Sequence, residues 1–181
     1  MSVLLKALAL GLCVGGAWAI THRALAFPML FWLAVLVVFP LIEEALRIGA
    51  LRWAAARRWF GRSALPGLGF GLGFSLAEAG PRWWRAGMEE APALQSFIAP
   101  LAPFLMHIML SILAWRLIRA NQTTRAFMLC LVLHIAHNWL ALFLLEAITT
   151  SGARLWAGVV ISTLYAAIIV WQIKAPRVRP P

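Results

Sequence analysis

The chain contains no aspartate and only six acidic residues, all glutamates, among its 181 residues. Soluble globular domains carry charged residues at about a quarter of their positions, whereas this chain is 12% charged and 63% hydrophobic, with a mean hydropathy of +0.86. This composition excludes a soluble globular domain. It predicts an all-α, polytopic transmembrane helix bundle.

Cysteine is scarce too, since only Cys13 and Cys130 occur and both lie inside apolar runs. There is accordingly no disulfide framework and no cysteine spacing typical of a metal site. The formal net charge of +10 comes from basic residues in short clusters between apolar runs. Such clusters are typical of membrane topology signals, so we expect no nucleic-acid partner.

Six apolar segments approach the length of about 20 residues that a spanning helix needs. They cover residues 3–20, 25–47 with a helical extension to 56, 65–80, 94–115, 126–148 and 155–173. We therefore predict a single integral-membrane domain over 1–181, with a possible core at 25–148 and a basic tail at 174–181. An alternative for residues 1–20 is a cleaved signal peptide, although Trp18 is unusual beside a cleavage site.

The orientation follows from the distribution of lysine and arginine between the loops. With the N-terminus in the cytoplasm, twelve of the sixteen basic residues fall on that side. The positive-inside rule thus predicts that both termini are cytoplasmic. The four exceptions on the other side are Arg23, Arg82, Arg85 and Arg154.

Ionisable residues from four predicted helices fall within one slab near the middle of a hydrocarbon core of roughly 30 Å. Counting 1.5 Å per helical residue from the cytoplasmic boundaries at Arg57, Arg62 and Arg119 places Glu43 about 21 Å deep, Glu78 about 24 Å and His107 about 18 Å. On the fifth segment, His134 and His137 lie at about 14 and 18 Å. Because ionisable groups at membrane depth are costly, this shared depth predicts a functional site.

Helical spacing suggests how these residues face one another. Glu43 and Arg47 are one turn apart, which favours an ion pair between them and leaves Glu44 for another neighbour. His134 and Asn138 are also one turn apart and point the same way. In the third segment, Gly67, Gly71, Phe74 and Glu78 lie on one face, and the glycines allow a neighbouring helix to approach closely.

This set of residues can support activation of a water molecule. A glutamate can serve as general base, a histidine can hold the water or protonate a leaving amine, and a histidine or asparagine can donate hydrogen bonds to an oxyanion. A structural alternative is a salt bridge that only holds the bundle together. A second pair, Glu89–Glu90, lies in a predicted outer loop over 81–96 and is interpreted as solvated.

Together these motifs resemble a known family, the PrsW-type glutamic intramembrane proteases, which are related to CAAX prenyl proteases and bacteriocin-processing membrane proteins. The resemblance rests on the order of E-E-x-x-R, a glycine-aromatic helix ending in a glutamate, a histidine and H-x-x-x-N, here at Glu43 to Arg47, Glu78, His107 and His134 to Asn138. Arg47 stands where PrsW-type members commonly have lysine.

The resemblance implies an endopeptidase of the prokaryotic inner membrane that cleaves a membrane-linked protein, such as an anti-sigma factor. It assigns the general base to Glu43 or Glu44, the partner on the water to His107, and the oxyanion contacts to His134 and Asn138. Glu78 matches an additional acidic position of the family. Arg47 and His137 are expected to support the site.

We expect no cofactor, with Zn²⁺ bound by glutamate and histidine as the alternative. Two other functions remain open at the level of sequence. One is a non-catalytic immunity or scaffold protein, and the other is a proton-coupled carrier that uses the same residues as a relay.

Overall fold

The protein is all-helical in a computed structural model that describes residues 2–24, 34–60, 63–88, 98–148 and 150–174. Six α-helices follow one another within these ranges: α1 Val3–Ala24, α2 Phe39–Ala56, α3 Leu65–Gly87, α4 Leu101–Arg119, α5 Thr123–Ala147 and α6 Ser151–Lys174. The predicted fold class, a helical membrane bundle, is confirmed.

Three of these helices have the length and apolar composition that spanning a membrane requires, at Leu101–Arg119, Thr123–Leu144 and Gly152–Lys174, and a shorter apolar helix covers Val3–Ala19. The central helix is α4, which packs against α2, α3, α5 and α6. By contrast, α5 and α6 carry many exposed apolar side chains, including Val132, Phe143 and Val160. Such surfaces suit contact with lipid.

Each predicted segment contains one α-helix, and the second one has an irregular start. A π-helical segment, Ala34–Val38, leads directly into α2, whose second residue is Pro40. Proline has no N–H to donate to the preceding turn, so a regular α-helix loses a hydrogen bond there. The irregular turn therefore lies one turn before Glu43 and Glu44.

The end predicted for the third helix is wrong, because α3 continues through Pro81 to Gly87. Tertiary packing supports this extension, with the ring centroids of Trp83 and Phe104 5.1 Å apart. In addition, Nε of Arg85 donates to the carbonyl of Pro81 at 3.3 Å. The predicted outer loop is consequently shorter, and Glu89–Glu90 lie outside the described residues.

Glycines bring α3 close to two neighbours at once. A Cβ built on Gly71 would lie 2.7 Å from Cα of Ile108, and one on Gly67 would lie 2.7 Å from Cα of Ile112, both in α4. On the opposite side, a Cβ built on Gly69 would lie 2.7 Å from the carbonyl oxygen of Leu4 in α1. The face predicted from sequence is confirmed, and this close approach carries Glu78 toward the interior.

We predict that Gly71→Ala lowers the free energy of unfolding by about 1–3 kcal/mol, because the added methyl group forces α3 away from α4. The matched control is Gly80→Ala, where an added Cβ meets nothing within 4 Å. That substitution should be neutral or stabilise the helix by up to about 1 kcal/mol. Thermal unfolding of both variants in detergent measures the difference, and equal effects would contradict the packing described here.

Candidate active site

The structure brings together four of the five residues whose depths were estimated from the sequence, and it adds Glu44 and Arg47 to them. Side chains from α2, α3, α4 and α5 meet in a single buried cluster made of Glu43, Glu44, Arg47, Glu78, His107 and His134. Three of the six glutamates and two of the four histidines of the chain lie in it. We call this group the Glu/His cluster.

The salt bridge inside α2 joins Arg47 to Glu44, with Nη1 2.7 Å from Oε1, and both side chains are fully buried. The predicted pairing of Arg47 with Glu43 is therefore wrong. Spacings of three and four residues both place side chains on the same side of a helix, so spacing alone leaves the choice open. Glu43 turns instead toward α1.

Arg47 also reaches across to α4. Its Nη2 donates to Nδ1 of His107 at 2.5 Å, and its guanidinium lies over the ring of Phe74, 5.1 Å from the centroid. An arginine can only donate hydrogen bonds, so Nδ1 of His107 must be the acceptor. The ring proton of His107 consequently sits on Nε2.

The Nε2 atom that carries this proton lies near two carboxylates. Nε2 of His107 lies 2.7 Å from Oε2 of Glu78 and 3.8 Å from Oε2 of Glu43. Glu78 is the most accessible acid of the cluster, and its Oε1 lies 3.5 Å from Nη2 of Arg82. His107 is thereby placed as a proton donor between α2 and α3.

His134 has the opposite orientation. Its Nδ1 lies 2.8 Å from Oε1 of Glu44, the oxygen that also accepts from Arg47. Because that carboxylate is paired with arginine, Nδ1 of His134 is the donor, and a neutral ring then presents an accepting Nε2. This Nε2 lies 3.6 Å from Oε2 of Glu43.

Glu43 is held at only one of its two oxygens. Oε1 accepts a hydrogen bond of 2.8 Å from the indole Nε1 of Trp18 in α1. Oε2 is buried and has no hydrogen-bond partner among the described residues. The same holds for Oε2 of Glu44 and of Glu78, but Oε2 of Glu43 also lies 3.8 and 3.6 Å from Nε2 of His107 and of His134.

Trp18 and Tyr165 were missed as members of the site by reasoning from sequence. Trp18 gave a signal, since a large aromatic residue with an N–H donor stands among alanines and glycines at the end of the first apolar segment. Tyr165 gave none beyond being the sole tyrosine of the chain. Its hydroxyl lies 2.8 Å from Nδ1 of His137, which ties α5 to α6.

A cavity of about 640 Å³ opens beside the cluster. Glu43, Glu78, His107 and His134 form part of its wall, together with His137 and Asn138 from α5. Apolar side chains such as Phe39 and Met106 line other parts. Every residue predicted for the site except Glu44 and Arg47 therefore lines the cavity, and these two lie behind it.

The donor set for a metal ion is only partly suitable. Ligand atoms of Glu43, His107 and His134 lie within 4.8 Å of one another. However, a histidine that binds a metal normally donates its other ring N–H to an acceptor, whereas Nδ1 of His107 faces the Nη2 donor of Arg47. His134 with Glu44 behind it meets that requirement, and His107 does not.

We predict that Arg47→Met destabilises the protein by roughly 3–5 kcal/mol, because it leaves the carboxylate of Glu44 buried without its cation. Arg82→Met is the matched control, since Arg82 is 48% exposed and 3.5 Å from its partner Glu78. Removing such an exposed pair should cost at most about 1 kcal/mol. Chemical unfolding in detergent compares the two variants, and a similar cost for both would contradict the central place given to Arg47.

Comparison of the chain with family models, with curated proteins and with solved structures gives no match. A function for the protein is therefore argued from the geometry of the Glu/His cluster and from the order of its motifs along the chain.

Proposed function

We propose that the protein is an intramembrane endopeptidase in which Glu43 is the general base that activates water. The observation that carries this proposal is the second oxygen of Glu43. Oε2 is buried without a hydrogen-bond partner among the described residues, lines a cavity, and lies 3.6 and 3.8 Å from Nε2 of two histidines. An oxygen beside a cavity with two imidazole nitrogens near it provides the polar partners that a bound water molecule requires.

The three atoms around this point have complementary hydrogen-bonding roles. Oε2 of Glu43 and Nε2 of a neutral His134 accept, whereas Nε2–H of His107, which lies 2.7 Å from Oε2 of Glu78, is shared between that carboxylate and the water. A water molecule that contacts all three donates both of its protons and accepts one hydrogen bond. Its remaining lone pair is then available to attack a carbonyl carbon.

The hydrolysis follows general acid–base chemistry. The water oxygen bonds to the carbonyl carbon of the substrate while its proton moves to Glu43. The carbon–nitrogen bond then breaks, and Glu43 returns the proton to the leaving amine. The products are a carboxylic acid and an amine, and the base is regenerated.

Stabilisation of the oxyanion falls mainly to Asn138 in this proposal. Since Nδ1 of His134 is directed at Glu44, the neutral ring has no N–H to offer at Nε2. The side-chain amide of Asn138, one turn further along α5 in the same cavity wall, can supply the donor. We therefore propose that His134 binds the water, whereas the family resemblance implies that it contacts the oxyanion.

Glu44 and Arg47 act as positioning residues behind the reacting atoms. Arg47 sets the tautomer of His107, and Glu44 sets that of His134. This division supports Glu43 rather than Glu44 as the proposed base. It also supports a mechanism without a metal, because Arg47 keeps the proton of His107 on Nε2.

The proposed substrate is a membrane-linked polypeptide. The cavity combines the polar cluster with apolar walls, as a peptide segment leaving a bilayer requires. We place the protein in a prokaryotic inner membrane with both termini in the cytoplasm, as the basic loops favour. Candidate substrates are anti-sigma-factor-like proteins, or prenylated or bacteriocin-type polypeptides, by the family resemblance.

We predict that Glu43→Gln lowers the cleavage rate about 10²- to 10⁴-fold, the usual effect of removing a general base. Glutamine keeps an oxygen for Trp18, so the unfolding temperature should change little. Glu44→Gln, by contrast, should lower both the rate and the stability, because Arg47 loses its counter-charge. The measurement is mass-spectrometric mapping of new N-termini in a set of single-span proteins reconstituted with each variant in vesicles.

The same vesicles test the two alternatives. Cleavage at the same rate by wild type and by folded Glu43→Gln would contradict the proposal. The proposal would also be contradicted if vesicles with wild-type protein yielded no new N-termini. A non-catalytic scaffold predicts the second result. A carrier predicts proton flux that is lost in Glu43→Gln without any new N-termini.

We further predict that Trp18→Phe slows cleavage roughly tenfold, because the carboxylate of Glu43 loses the charge-assisted hydrogen bond that fixes its orientation. Phenylalanine keeps an aromatic ring against Phe39, whose centroid lies 5.7 Å from that of Trp18. The control is Trp156→Phe, at a side chain that is 69% exposed. Equal rates for the two variants would show that α1 makes no contribution to catalysis through Trp18.

A further inference from the structure

Three arginines lie on the wall of the same cavity that contains the Glu/His cluster. Arg82 and Arg85 come from the last two turns of α3, and Arg154 comes from the first turn of α6. These helices bring the three guanidinium groups to one end of the bundle. We call this group the arginine rim.

The distribution of charge along the chain makes the rim unusual. Twelve of the sixteen basic residues belong to the side predicted to be cytoplasmic, and only four belong to the other side. Three of these four line one cavity. Topology rules disfavour arginine on that side. Glu78, 3.5 Å from Arg82, carries only one negative charge, so three guanidinium groups at a single cavity favour a ligand of opposite charge.

Local contacts position the arginine rim relative to the reacting atoms. Nε of Arg85 donates to the carbonyl of Pro81 at 3.3 Å, and Nε of Arg154 donates to the carbonyl of Ile148 at 2.6 Å. Arg82 and Arg85 follow Glu78 by four and seven residues, a rise of about 6 and 10 Å along the helix. An extended peptide covers that distance in roughly two or three residues.

We propose that the arginine rim is a subsite for an acidic side chain of the substrate, located two or three residues from the bond that is cut. The inference rests on the proposed function, because the ligand is a substrate only if the protein is a protease. Its physical basis is separate from catalysis, because guanidinium groups bind carboxylates through paired, charge-assisted hydrogen bonds. The substrate class is therefore a membrane-linked polypeptide with aspartate or glutamate near the cleavage site.

A peptide carboxylate fits these positions better than the phosphate of a lipid headgroup. Arginines that anchor a protein at headgroups extend from its outer surface toward the surrounding lipid. The three rim residues instead border the cavity that leads to Glu43 and His107. A substrate whose scissile bond lies at the Glu/His cluster must pass the three arginines if it leaves the cavity toward this end of the bundle.

The test measures binding without cleavage. Glu43→Gln protein in a neutral detergent is titrated with a fluorescent, end-capped peptide of ten alanine and leucine residues that carries one glutamate, and with its glutamine twin. We expect the glutamate peptide to bind roughly tenfold tighter, as one charge-assisted contact provides. Adding Arg82→Gln and Arg85→Gln together should abolish this preference.

The control variant is Arg125→Gln, which removes an exposed arginine at the N-terminal end of α5, away from the cavity lining. It should leave the preference for the glutamate peptide unchanged. Thermal unfolding verifies that each variant is folded, and the decline of the preference with added salt provides a second measure on the parent protein. Equal binding of the twin peptides to the parent, or a preference that survives the double rim substitution, overturns the subsite.

Two further outcomes are informative. If phosphatidylglycerol added to the detergent removes the preference at equal ionic strength, the rim is a headgroup site and the peptide assignment is wrong. If the preference depends on the rim while wild type cleaves no peptide or protein, the proposed protease function fails and the acidic-peptide site stands. The two proposals can thus fail independently.

Discussion

The structure of the site depends on one buried arginine. Arg47 is fully buried, and it contacts Glu44 in its own helix, the ring of Phe74 in α3 and the imidazole of His107 in α4. Removing a guanidinium group from water is costly unless good partners surround it. The helices must therefore pack so that these partners meet, and the packing fixes the orientation of the cluster.

Both histidines take their orientation from this arginine, although only one of them touches it. His107 receives a hydrogen bond from Arg47 and keeps its proton on the side of the cavity. His134 donates to the same Glu44 oxygen that binds Arg47, and so presents an accepting nitrogen. One ion pair in α2 thereby produces a donor and an acceptor on either side of Glu43. This complementarity is the physical reason for proposing that the site activates water.

Much of the fold and of the site could be predicted from the sequence because helical geometry converts spacing into position. A rise of 1.5 Å per residue placed Glu43, Glu78, His107 and His134 at one depth, and glycine spacing identified the inner face of α3. The partner of Arg47 could not be predicted, since spacings of three and four residues are both compatible with an ion pair. Glu43 instead accepts a hydrogen bond from Trp18, and that contact depends on how α1 packs. The extension of α3 past Pro81 likewise depends on a tertiary contact, that of Trp83 with Phe104.

The most direct test of this account is the position of the ring protons. ¹⁵N NMR of the histidine side chains, assigned with single substitutions at His107 and His134, reports which nitrogen carries hydrogen. The account predicts a proton on Nε2 and none on Nδ1 in His107, and a proton on Nδ1 in His134. A proton on Nδ1 of His107 would contradict it, because Arg47 could then no longer donate to that nitrogen.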